Sequence, residues 1–179
     1  MILGIDIVHK LISEKKLIEN LSERELKNPE GAVIDLRIAR ALRLEGDGFL
    51  GIEERETPKM EVFAEFDPNK KSALILKPGD YFVTETIEKF NMPEDLMAIM
   101  KPRTTLHRMG IIGRQTIADP GFHGTVHPAL YNAGQSTITI EMGARYMQVF
   151  FVEIKGKANL YRGQWQGGRA TTDGREKQI

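Results

Sequence analysis

Thr137-Ile-Thr-Ile-Glu141 alternates polar and apolar residues without a break, and it lies between two turn signals, Asn132-Ala-Gly134 and Met142-Gly143. Side chains on an extended strand point alternately to opposite faces, so this run predicts a half-buried strand rather than a helix. Similar short apolar or alternating runs recur on both sides of it. They are Ala32–Ile38, Lys59–Phe66, Ala73–Leu76, Tyr81–Thr86, Leu96–Met100, Gly124–Tyr131 and Tyr146–Ile154. Lys77-Pro-Gly-Asp80 and Asp119-Pro-Gly121 supply further turns. Many short strands at this spacing predict an all-β sandwich or barrel. Helical spacing is confined to an N-terminal segment, residues 1–30. Ile5, Val8, Leu11, Ile12 and Leu17 predict one helix from Ile5 to Leu17, and Ser22 to Lys27 a second short turn stopped by Asn28-Pro29.

The 179 residues read as a single domain, large enough to bury a real core. With 25 basic and 25 acidic residues the formal net charge is zero. No general basic field exists to hold a nucleic acid polymer, and anion binding must come from a local cluster. The absence of cysteine excludes a disulfide framework, a thiol nucleophile and a zinc-thiolate site. No apolar run approaches the ~20 residues that span a bilayer. Met1-Ile-Leu-Gly-Ile-Asp6 is too short and too soon charged for a signal peptide. The expectation is a soluble cytoplasmic protein with no membrane partner. The polar stretch from Glu45 to Lys71, with its run Glu53-Glu-Arg-Glu56, predicts a surface hairpin whose charges are solvated. Residues 161–179, rich in Gly, Gln, Arg and Thr, predict a flexible C-terminal arm.

Two segments concentrate the chemistry. Lys101-Pro-Arg-Thr-Thr-Leu-His-Arg108 packs Arg103, Thr104, Thr105 and Arg108 into six residues. Guanidinium forks and hydroxyl donors are what a polyphosphate requires; the plainer alternative is two solvated arginines on a loop. Asp119 heads Asp119-Pro-Gly-Phe-His-Gly124 and suits a general base, or else a side chain that only builds the turn. Phe122 is either a stacking surface for a sugar or a core aromatic. Gln148 interrupts an apolar strand and must be hydrogen-bonded if buried, to a ligand or between strands. Asp35, inside Ala32-Val-Ile-Asp-Leu-Arg37, is either a ligand to metal-bound water or half of an ion pair with Arg37 or another base. His9, His107, His123 and His127 have no familiar zinc spacing.

Taken in order, these segments resemble the dUTPase and dCTP deaminase superfamily over about Gly31 to Gly168. Arg103-Thr-Thr-Leu-His-Arg108 resembles the family's phosphate motif, and Asp119-Pro-Gly-Phe-His-Gly124 its motif around the reactive aspartate. Gly143-Ala-Arg-Tyr-Met-Gln148, Ala32-Val-Ile-Asp-Leu-Arg37 and Tyr161-Arg-Gly-Gln-Trp-Gln-Gly167 are similar to three further motifs, the last being the C-terminal arm. The resemblance implies a distorted β-barrel or jelly roll, a homotrimer with sites shared between subunits, a deoxynucleoside triphosphate substrate and Mg2+. In the deaminases a glutamate ten residues beyond the motif aspartate handles protons at the pyrimidine ring; here that position is Ala129. A methyl group cannot shuttle a proton.

Ala129, together with a slightly short segment between Arg108 and Asp119, resembles the archaeal-type dUTPases built on the deaminase framework. The implied reaction is hydrolysis of dUTP to dUMP and pyrophosphate, with Asp119 orienting the attacking water. By the same resemblance Arg103, Thr104, Thr105, Arg108 and Gln148 grip the phosphates and Asp35 holds a water of the magnesium. Phe122 packs on the deoxyribose. The main chain of Thr116, Ile117 and Ala118 reads the base edge, and His127, Tyr161 and Gln166 complete the sugar and base side. The chain departs from the pattern in Thr104, where serine is usual, in His127-Pro128 on the strand facing the base, and in an arm lacking the usual lysine and second glutamine. The alternatives are a deaminase or bifunctional deaminase, disfavoured by Ala129, a nucleotide-binding regulatory module without turnover, and an unrelated β-barrel with a sugar or protein ligand.

Overall fold

The computed structural model describes residues 1–178. Helix α1 (Ile5–Lys15) turns Val8 into the core and stops at Lys16, whose left-handed backbone (φ 53°) lets its own N–H reach the Ile12 carbonyl and the next N–H, of Leu17, the Leu11 carbonyl. Strand β1 (Ile18–Glu19) leads to α2 (Glu23–Lys27), where the Ser22 hydroxyl accepts from the Glu25 N–H. α1 stops two residues short of the expected Leu17, and α2 lies within the expected turn from Ser22 to Lys27. The chain then turns almost wholly to strands: β2 (Ile34–Glu45), β3 (Phe49–Leu50), β4 (Glu54–Glu56) and β5 (Lys59–Glu65). β6 (Ala73–Leu76), β7 (Tyr81–Thr86), β8 (Lys89–Asn91) and β9 (Leu96–Pro102) follow. After the single turn of α3 (Thr104–Arg108) come β10 (Ile111–Arg114), β11 (Ile117–Ala118), β12 (His123–Thr125) and β13 (Ala129–Asn132). β14 (Ile138–Glu141), β15 (Arg145–Glu153) and β16 (Glu176–Lys177) complete the order.

The main sheet runs β10-β13-β7-β2-β15-β9-β11, with β5 added along β2. β2 is its spine. Its first residues pair with β15, its middle with β7 and its end with β5, and bulges near Ile38–Arg40 and Ala41–Leu42 bend it between partners. The bends curl the sheet into a half-barrel. The curl returns β10 to the end of β9, where a Cβ on Gly113 would lie 2.8 Å from Pro102. Leu36, Ile38, Leu74, Leu76, Met100, Leu130, Met147 and Val149, all essentially inaccessible, fill the interior. The alternation of Thr137–Glu141 appears as β14, paired to β6 with Ile138 and Ile140 buried.

One expected strand divides. Gly124–Tyr131 becomes β12, paired to β8, and β13, paired to β7 and β10. Pro128, which has no N–H to give a ladder, lies at the break, and the carbonyls of Val126 and Pro128 accept from Thr86 (3.1 Å) and Thr84 (2.7 Å). The segment between the strands therefore crosses from one small sheet to the main one, carrying His127 with it.

The polar insertion forms the β3–β4 hairpin and β5, as the turn residues suggest. Arg55 is not solvated, however. It stacks 4.4 Å over the Trp165 ring and pairs with Glu176, because the C-terminal arm lies on the hairpin. β16 pairs with β4, and Thr171 and Thr172 bond Thr57. No helix among the described residues is long and apolar enough to cross a membrane.

Candidate functional site

The candidate residues gather into two groups at opposite ends of β9. The first surrounds Asp35, a buried carboxylate on β2. Gln148 stands beside it in the β2–β15 ladder and donates its amide to Asp35 Oδ1 (3.1 Å). Arg145 Nη1 and Arg103 Nε approach Oδ2 at 2.8 and 3.3 Å, and Arg24 Nη1 lies at 3.7 Å. The ion-pair partners of Asp35 are therefore Arg145, Arg103 and Arg24, while Arg37 turns instead to the buried Glu88 (2.7 Å). Burial raises the Glu88 pKa against the opposing pull of that guanidinium.

A second acid closes the first group from behind. Glu25, on α2, is 1 % exposed; it pairs with Arg24 and accepts the Asp35 backbone N–H at 3.0 Å. Three arginines thus meet two buried carboxylates, which leaves a positive balance at the surface. Arg103 sits at the N-cap of α3, its own N–H fixed to the Tyr146 carbonyl (2.9 Å). Leu106 anchors α3 in the core while Thr104, Thr105 and Arg108 stay exposed beside Arg103. The chemistry suits a polyanion: guanidinium donors held in one direction by carboxylates, with hydroxyls at the rim.

The second group lines a cavity of about 380 Å³. Asp119, Phe122, Thr116, Ile117, His127 and Tyr161 all open onto it. The Pro-Gly turn that carries Asp119 is closed by the backbone, Phe122 N–H to Asp119 carbonyl at 3.0 Å, and the Asp119 side chain makes no hydrogen bond or ion pair with the described residues. The turn does not need that carboxylate, so it is free for a ligand or a water. Tyr161 meets Phe122 edge-on with ring centres 5.6 Å apart. Gln166 and Ala118 lie outside the lining. Gln166 accepts from His123 N–H (3.0 Å) and donates to the Gly121 carbonyl (2.9 Å), which fastens the arm to the turn, and Ala118 is buried against β9. The fit there is tight. A Cβ on Gly124 would stand 2.3 Å from the Gly168 nitrogen.

Several residues of the site carried no signal in the sequence. Trp165 and Arg169 line the cavity because the arm folds over it, and Arg169 is held by Glu176 at 2.9 Å. Thr125 also lines it, and its hydroxyl donates to the buried Glu85 carboxylate (2.9 Å). Glu85 pairs with Arg40 and lies 4.0 Å from His127 Nε2. Burial lowers the His127 pKa, with Glu85 opposing and Arg40 assisting. Glu25 could have been found only through its packing, since nothing distinguishes it in the sequence from the exposed Glu23 of the same helix. Arg145 and Trp165 are the exceptions, because they lie inside the runs that end at Gln148 and Gly167.

Within one chain the two groups are far apart. Ala118 pairs with Ala98, so Asp119 lies level with Met97, six residues along the strand from Arg103. At ~3.3 Å per residue that is about 20 Å.

Comparison with known proteins gives the same frame. Residues 2–154 match the family model described as dCTP deaminase-like. A dCTP deaminase of Pyrococcus furiosus is 31 % identical over 169 residues, 94 % of this chain and 96 % of that protein. A probable deoxyuridine 5'-triphosphate nucleotidohydrolase of Methanothermobacter thermautotrophicus is 32 % identical over 154 residues, 85 % of this chain and 94 % of that protein. Among solved structures, the 2'-deoxycytidine 5'-triphosphate deaminase of Agrobacterium tumefaciens superposes with a TM-score of 0.65 at 15 % identity, over 86 % of this chain and 48 % of that one. A D95N mutant dUTPase of a Staphylococcus aureus phage, described with a structural Mg(II) ion, gives 0.52 at 15 % identity, over 82 % and 95 %.

Proposed function

Because the chain belongs to the dCTP deaminase-like family, within the dUTPase and dCTP deaminase superfamily, we propose that it is a dUTP diphosphatase, releasing dUMP and pyrophosphate, and so an enzyme of nucleotide metabolism. One observation carries this reading: among the described residues Asp119 is the only acid that lines the cavity, its carboxylate is unclaimed, and Ala129 stands where a deaminase would have its glutamate. Asp119 accepts a proton from a water and aims that water at phosphorus. Phe122 and Tyr161 give the sugar an apolar wall, and Thr116, Ile117 and His127 face the base. Arg103, Thr104, Thr105, Arg108 and Gln148 grip the phosphates. Such a reaction needs positioning and charge neutralisation more than covalent help.

A triphosphate is too short to bridge two groups about 20 Å apart. The cradle of one copy therefore serves the cavity of another, and a closed ring such as a homotrimer satisfies every site. Magnesium suits the hard oxygen donors of a triphosphate, where it would neutralise developing charge. Asp35 is the acid nearest those phosphates. Both its oxygens are engaged by Gln148 and the arginines, so a contact through one metal-bound water is what it can offer.

A second reading, deamination of dCTP, is favoured by the name of the Pyrococcus relative. The two separate in one assay. The protein is given each deoxynucleoside triphosphate with magnesium, and pyrophosphate and ammonia are scored independently. Pyrophosphate from dUTP without ammonia from dCTP is the expected result. Ammonia from dCTP would overturn the assignment, and tight binding with neither product would make the chain a nucleotide-binding module.

A further inference from the structure

The hydrolase reading makes no use of Glu85. This carboxylate is on β7, 8 % exposed, two residues beyond Val83, which pairs with Ala129 and also lines the cavity. Glu85 therefore lies behind the same wall. Its Oε1 receives the Thr125 hydroxyl proton at 2.9 Å; its Oε2 is tied to Arg40 and lies 4.0 Å from His127 Nε2, a buried nitrogen with no hydrogen-bond partner. Thr125 and His127 both face the cavity.

A carboxylate can only accept. Thr125 has spent its one proton on Glu85, so its oxygen offers the cavity lone pairs alone. With the imidazole proton on Nε2, the nitrogen nearer the carboxylate, Nδ1 is left as an acceptor. Arg40 pairs with Glu85 and is not among the residues that line the cavity.

We propose that Glu85 is a positioning residue that sets base specificity: it fixes Thr125 and His127 as hydrogen-bond acceptors, so the wall selects a pyrimidine whose ring nitrogen carries a proton. Uracil presents such an N–H between two carbonyls. Cytosine presents a lone pair at that ring position and carries its donor, the 4-amino group, where uracil has a carbonyl, so acceptors placed for the ring N–H meet a lone pair. Discrimination of this kind is built from groups left unpaired against the wrong base. The inference rests on the nucleotide reading of the cavity, but not on hydrolysis.

The test uses the full-length protein as Glu85→Gln and as Thr125→Val. Glutamine keeps the shape yet can donate, freeing Thr125 and His127 to reverse their roles. Two quantities are read for dUTP and dCTP: kcat/KM, and the Kd of the α,β-imido analogues. Wild type should favour the uracil nucleotide. Glu85→Gln should cut that preference by about tenfold, mostly through weaker discrimination in binding, with kcat for dUTP changed far less. Thr125→Val, which loses one acceptor, should cut it less. If Glu85→Gln does not fold, Thr125→Val alone decides. An unchanged preference in a folded variant, or no preference in the wild type, would overturn the proposal. A wild type that binds the dUTP analogue selectively but releases no pyrophosphate would defeat the hydrolase reading and leave this one standing.

Discussion

The two ends of β9 carry charge in opposite ways. At the Arg103 end the two buried carboxylates are matched: Asp35 by three arginines and an amide, Glu25 by Arg24 and a backbone N–H. At the Asp119 end a carboxylate stands beside an apolar cavity with no side-chain partner among the described residues. The first arrangement holds donors still, which is what binding a polyanion needs. The second leaves a base unspent, which is what proton transfer needs. On the proposed reading, binding and reactivity belong to separate regions of one chain, and neither region serves without the other.

The sharpest break in this division is Asp119→Asn. The amide keeps the shape and cannot take a proton, so turnover should fall by roughly 10²–10⁴ while nucleotide binding persists. Steady-state kinetics beside equilibrium binding of the imido analogue checks both halves. Near-normal turnover would show that Asp119 only builds the turn.

Next comes a mixture. Asp119→Asn and Arg103→Ala each spoil one end of β9, and each should be nearly inactive alone. Unfolded together and refolded, they should recover roughly a quarter of wild-type turnover, since half the cradles and half the cavities are intact and meet at random around a ring. Mixing without recovery would mean that both ends of a site come from one copy, against the separation along the strand.

Asp35→Ala probes the matched end. Removing the acid leaves Arg103, Arg145 and Gln148 without their shared partner, a loss on the order of 3–5 kcal/mol for a buried pair. The melting temperature should fall, and binding of inorganic triphosphate should weaken with it. A variant that melts like wild type would make the network a surface ornament.

The sequence made the fold legible where strands are regular. Ala73–Leu76 and Tyr81–Thr86 are observed with the same bounds, because alternation and turn residues there agree with burial. It misled at Gly124–Tyr131, since a single apolar run does not reveal that Pro128 hands the chain from one sheet to another. The site was legible in its polar runs: Arg103, Asp119, Phe122 and Gln148 fall in motifs that stand out from their neighbours. Its supporting charges were not. Glu25, Arg24 and Glu85 look like ordinary surface residues until the fold closes over them, and Arg55 passes for a solvated charge until Trp165 lies on it. Burial of a charge is decided by tertiary packing, which local pattern does not encode.

The smallest expected effect separates the two regions by pH. His127 sits at the cavity end, and burial depresses its pKa below the usual 6.5. The folded protein holds it neutral, whereas the unfolded chain takes up a proton once the pH drops below about 6.5. Stability from this group is therefore complete above that pH and is lost as the pH falls toward the folded pKa, where the penalty levels off. Arg40 at 38 % exposure and Glu85 behind it set how far that goes, Arg40 deepening the depression and Glu85 opposing it. Melting curves between pH 7.5 and 5.5 should show a small decline in wild type and a shallower one in His127→Asn, which cannot titrate. Equal slopes in the two proteins would mean that the imidazole is as well solvated in the fold as out of it, and that the cavity wall is wetter than its lining implies.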